Sequence, residues 1–88
     1  MFRLKKGFIV RKIGDQIMAV PIGTQTSEIH GMIALSESGE LLWKLLSDGA
    51  DKEILINALL EEYEIDRETA EKDTQRFIDN LTEQGALQ

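Results

Sequence analysis

Eighty-eight residues, 42% of them hydrophobic and 30% charged, make one domain over 1–88, small enough that its apolar residues must be buried efficiently. The chain has no cysteine, which excludes a disulfide framework and thiolate chemistry. Its formal net charge of −6 is unevenly placed: residues 1–35 hold five Lys/Arg against two Asp/Glu, and residues 36–88 hold five against fourteen, which reads either as a solvated helical surface or as one that repels nucleic acid and tolerates a basic or apolar partner.

The opening "MFRLKKGFIVRKIGD" lacks an apolar core and a small-residue cleavage site. It predicts neither a signal peptide nor a membrane span, and hence a cytoplasmic protein. "FIVRKI" (Phe8–Ile13) and "QIMAVPI" (Gln16–Ile22) are β-branched and apolar. Gly14-Asp15 between them predicts a two-residue hairpin, because glycine accepts the positive φ of primed turns. Pro21 cannot donate to a ladder, so the end of the second strand is expected at an edge or leaving the sheet. After the polar loop Gly23–Glu28, "IHGMIAL" (Ile29–Leu35) reads as a third strand.

Three helices follow. Ser36, Asp51 and Asp66 are the expected N-caps, and Gly49 and Gly85 the expected stops. The inward stripes are Leu42, Trp43 and Leu46; then Ile54, Leu55, Ala58, Leu59 and Tyr63; then Ala70, Thr74, Phe77, Ile78 and Leu81. The fold class is therefore α+β: a three-stranded antiparallel sheet followed by three helices, winged helix-turn-helix-like. Trp43, the only tryptophan, is expected in the core, seating the first helix against the sheet and the third helix.

Few residues could carry chemistry. His30 is the only histidine and has no carboxylates at ligand spacing, so no metal is expected. Ser36 and Ser38 read as capping residues rather than nucleophiles. The pairs Glu61-Glu62 and Glu68/Glu71 lie on solvated helix faces, where nothing raises a pKa for acid–base work. The isolated glycines form no phosphate loop. No catalytic residue and no cofactor are expected. DNA binding by a winged helix would place the third helix in the major groove, yet Asp66–Glu83 carries three basic against six acidic residues. What remains is an exposed sheet edge at the third strand beside an amphipathic helix, to which an extended peptide can add a strand. Ile78 either widens the third helix's apolar stripe toward Glu71 and Gln75 or only completes the core.

The runs "ALSESGELLWKLLSDG", "KEILINALLEEYEID" and "AEKDTQRFIDNLTEQGAL" resemble the PqqD-like proteins, the recognition elements of ribosomal peptide natural-product pathways. Leu35, Gly39, Trp43, Leu45, Leu46, Gly49, Tyr63, Asp73, Phe77, Leu81, Gly85 and Leu87 match the family pattern in order. Ser36 stands where the family usually has Asn, and features associated with PqqD of pyrroloquinoline quinone synthesis itself are missing. The chain looks more like a discrete recognition protein such as the B1 protein of lasso peptide synthesis, or one serving a radical SAM maturase. The resemblance implies non-catalytic binding of a precursor's leader peptide, presented to a separate modifying enzyme such as a leader peptidase or maturase. The leader would dock along Ile29, His30, Gly31, Met32, Ile33 and Ala34, with Glu71, Thr74, Gln75 and Ile78 lining the slot. Two other classes stay open: a DNA-binding winged helix, and a protein-only assembly module that dimerises through the same edge.

Overall fold

In the computed structural model, which describes residues 1–22 and 32–88, three strands precede three helices. β1 (Phe8–Ile13) and β2 (Gln16–Pro21) form the expected hairpin. Gly14 has φ of +63° and no other residue of the turn has positive φ; glycine first in a two-residue loop is the type II′ arrangement, whose twist matches the flanking strands. β3 (Ile33–Leu35) pairs antiparallel with β2, giving the order β1-β2-β3. Met32 precedes it, and the expected strand residues Ile29, His30 and Gly31 lie outside the described residues.

The hairpin fixes which backbone groups face which neighbour. In a two-residue loop Ile13 and Gln16 are a hydrogen-bonded pair, and such pairs then alternate along the ladder. The Ile22 N–H donating to the Gly7 carbonyl at 2.7 Å keeps that alternation. Ile17 and Ala19 therefore turn their backbone groups toward β3, where they meet Leu35 and Ile33. Pro21 sits opposite Phe8, and its missing donor faces the β3 side beyond Ala19, the last described residue to pair there. The proline thus ends the central strand without removing a described ladder bond.

The helices are α1 (Glu37–Ser47), α2 (Lys52–Glu62) and α3 (Arg67–Glu83). Each starts at the expected cap: Ser36 accepts from the Gly39 N–H at 3.0 Å, Asp51 from Ile54 at 3.0 Å and Asp66 from Thr69 at 2.8 Å. Each side chain satisfies one of the donors a helix start leaves unpaired. The core joins Leu42, Trp43 and Leu46 of α1 to Leu55, Ile56 and Leu59 of α2, and to Ala70, Ile78 and Leu81 of α3. Ala19, Ile33 and Leu35 supply its sheet side. One inward position differs from expectation: Ile56 is buried, whereas Ile54 is exposed beside the Asp51 cap.

Trp43 is 4% exposed, and its ring meets Phe8 of β1 edge-on, centroids 5.2 Å apart and planes at 81°. That is a favoured aromatic geometry. The tryptophan is a core residue as expected, but its aromatic contact ties α1 to β1, at the opposite side of the sheet from β3.

Candidate functional site

β3 has β2 on one side, and no further strand pairs with it among the described residues. Ile33 and Leu35 are buried and Ala34 is exposed, the alternation expected of a strand with one face on a core. Because Ile33 and Leu35 direct their backbone groups to β2, the N–H and C=O of Ala34 point outward. An unpaired donor and acceptor there are a template for another extended chain.

An open groove of about 690 Å³ runs beside this edge. Ala34 and Leu35 form one wall, Leu42 and Leu59 are in its apolar lining with Phe77, and Asp73, Arg76, Asp79, Asn80 and Glu83 supply the α3 side. Gly39 is part of this construction. A Cβ there would lie 3.3 Å from the Ser36 hydroxyl and 3.4 Å from Phe77 Cε1. The bare backbone lets the phenyl ring close against the start of α1 while Ser36 keeps its capping geometry.

The expected slot residues are only partly brought together here. Ala34 lines the groove, Ile33 lies beneath it in the core, and Met32 is exposed just ahead of the strand. None of the four expected α3 residues lines this groove. Thr74 and Ile78 are 0% and 5% exposed, packed inward. Glu71 is exposed and faces Arg67 at 3.9 Å, on the helix whose Arg67 also pairs with Glu53 of α2. Gln75 is exposed and donates to Asp79 Oδ1 at 2.8 Å.

The physical reason is helical phase. Successive residues turn by about 100°, so residues four and seven apart share a line. Ala70, Thr74, Ile78 and Leu81 are the buried stripe. Glu71 and Gln75 flank it on one side, whereas Asp73, Phe77 and Asn80 flank it on the other, and the groove lies on that second side. Phe77 belongs to the expected inward stripe and also lines the groove, whereas Asp73, Arg76, Asp79, Asn80 and Glu83 line it without having been singled out by the helical pattern. A signal was present, because Gly39, Asp73 and Phe77 are all matched positions of the family resemblance.

The comparisons bear on this geometry. The family described as coenzyme PQQ synthesis protein D (PqqD) matches residues 20–87. The chain belongs to the PqqD family. The match spans the whole of β3 and all three helices that build the groove. No curated protein matches the chain. Among solved structures, this PqqD-family chain is similar to TbiB1 in complex with the TbiA(beta) leader peptide. The TM-score is 0.76 and the identity 24%, over 98% of this chain and 94% of that one. It is equally similar to a lasso peptide synthetase B1 complexed with the leader peptide, with TM-score 0.76 and 24% identity over 99% and 96% of the two chains. At that identity the likeness establishes the fold.

Proposed function

We propose that this protein binds the leader segment of a ribosomally synthesised precursor peptide and presents the attached core to a separate modifying enzyme. The observation that carries the reading is the outward backbone of Ala34 beside a groove floored by Leu42 and Phe77. A peptide adding a strand there gains main-chain hydrogen bonds from β3 and side-chain burial against α3. Membership of the PqqD family supports the reading, as does the likeness in fold to two proteins captured with leader peptides. The chain itself does no chemistry in this scheme; the partner is a leader peptidase or a radical SAM maturase, and the meeting place is the cytoplasm. The DNA-binding alternative is disfavoured because α3 and its caps are net acidic and would be repelled by phosphates.

The test is calorimetry with the synthetic leader of a precursor encoded beside this chain's gene, using wild type and Ala34→Pro. Proline removes the outward donor while the bonds to β2 run through Ile33 and Leu35. The expected outcome is saturable binding by wild type and loss of at least tenfold in the variant, with the fold retained by circular dichroism. A folded Ala34→Pro protein with full affinity would move the peptide off this edge. Tight binding of wild type to duplex DNA at physiological salt, with no affinity for the leader, would overturn the reading altogether.

A further inference from the structure

The sheet has a second face, and none of the described helices lies over it. Phe8, Val10, Ile17, Ala19, Ile33 and Leu35 belong to the core or pack against it, so the helices occupy that side. Strand alternation puts Ile9, Arg11 and Ile13 of β1, Met18 and Val20 of β2 and Ala34 of β3 on the other. Ile9, Met18 and Val20 are half-buried outside the core cluster, Ile13 is 54% exposed, and Arg11 is exposed between Ile9 and Ile13. Strand spacings of about 3.4 Å per residue and 4.8 Å between neighbours make this face on the order of 300 Å² in projection. Apolar patches of that size often serve binding. The surroundings are basic. Residues 1–22 carry Arg3, Lys5, Lys6, Arg11 and Lys12 against Asp15 alone, in a chain whose net charge is −6. No ion pair among the described residues uses any of the five.

Resting on the leader-binding reading above, we infer that this outer sheet face docks the modifying enzyme, through a partner surface of apolar side chains and carboxylates. Apolar contact covers Ile9, Ile13, Met18 and Val20, and the carboxylates supply the partner that Arg11 lacks. The position suits presentation. Met18 stands opposite Arg11 on one neighbouring strand and Ala34 on the other. A leader strand added beside Ala34 turns alternate side chains onto the same face, widening it by about 5 Å. An enzyme seated there touches the recognition protein and the leader's outward side together, while the leader's other side chains stay against α3. A second copy fits the face poorly, because a twofold contact sets one basic patch against another.

The experiment titrates the purified modifying enzyme encoded beside this chain's gene against the leader-loaded protein by calorimetry, with the leader alone titrated in parallel. Arg11→Glu/Ile13→Glu, at two exposed positions, is the main variant, and Arg11→Glu alone is a milder one. Circular dichroism checks that each is folded. The double variant should lose about tenfold or more in enzyme affinity. Its leader affinity should stay within about twofold of wild type, since β2 and β3 separate β1 from the leader's edge. Arg11→Lys keeps the charge and should bind the enzyme nearly as wild type does. Lys72→Glu makes the same charge change as Arg11→Glu on the exposed surface of α3 and should have no effect. A double variant that keeps enzyme affinity, or a Lys72→Glu protein that loses as much as Arg11→Glu, overturns this inference and leaves leader binding standing. So does a wild type that binds leader but no enzyme, or a wild-type dimer in sedimentation that the double variant dissociates. A wild type that binds neither leader nor enzyme overturns the leader-binding reading itself.

Discussion

Phe77 and Ile78 are adjacent in sequence and have opposite fates. Phe77 is half-buried in the groove, whereas Ile78 is closed into the core. Phe77→Ala should weaken leader binding by about 1–3 kcal/mol, the loss common for a central aromatic anchor. Calorimetry on the folded variant checks this, and an unchanged affinity would remove the ring from the site. Ile78→Asp should instead act on folding. A carboxylate placed at a residue only 5% exposed costs more than about 4 kcal/mol, most of what a small domain holds in reserve. Its circular dichroism should show substantial unfolding. Thr74 makes the converse case, because it is fully buried and its Oγ1 has no hydrogen-bond partner among the described residues. Thr74→Val keeps the shape and removes the stranded hydroxyl, so it should raise stability by about 1 kcal/mol, read as a higher urea midpoint. A lower midpoint would mean that the hydroxyl is satisfied.

At the scale of elements, local chemistry made most of the structure legible. Gly14-Asp15 between two β-branched runs led to the hairpin, and Ser36, Asp51 and Asp66 marked the three helix starts. These features act over three or four residues, which is what a sequence displays directly. Hydrophobic period was less sufficient. Ile54 and Ile56 are chemically alike, and only the angle at which α2 meets its neighbours buries the second. For α3 the period found the buried stripe but not which flank borders β3, since that depends on how the helix is laid beside the sheet. The Asp66 cap also carries a pH dependence. The hydrogen bonds from Thr69 hold the Asp66 carboxyl below its ordinary value of 3.8. A depressed carboxylate contributes stability that is fully present above the unfolded pKa and lost as pH falls through the folded one. Stability should therefore decline as pH drops below about 3.8, and Asp66→Asn, which keeps an oxygen acceptor without the titration, should show a shallower decline. Urea melts between pH 5 and pH 2 for the two proteins give the comparison. Identical slopes would assign acid sensitivity to other carboxylates.

At the scale of the whole molecule, the two ends of the chain are sewn to each other and to the α1–α2 turn. Phe2 exchanges backbone hydrogen bonds with Ala50 at 2.7 and 3.0 Å. The Lys5 N–H donates to Ala86 at 2.8 Å, and the Gln88 N–H to Arg3 at 2.9 Å. Ala50 and Ala86 are buried, and Phe2, Leu4 and Leu87 pack against the core. This strap lies on the residues that bracket α1 and α3, the two helices that shape the groove, yet none of its members lines the groove itself. Its contribution should therefore appear in stability and not in intrinsic affinity. Deleting residues 1–5 removes four backbone bonds, each worth about 0.5–1.5 kcal/mol net, together with the partial burial of two large apolar side chains. The expected loss is about 4 kcal/mol or more, a large share of the roughly 5–10 kcal/mol available to a small domain. In urea the midpoint should fall sharply, while leader affinity, measured where the shortened protein remains folded, should stay within about twofold of wild type. An unchanged midpoint would show that the strap is dispensable to folding. A large loss of affinity in the folded fraction would show that it also sets the separation of α1 and α3, on which the width of the groove depends.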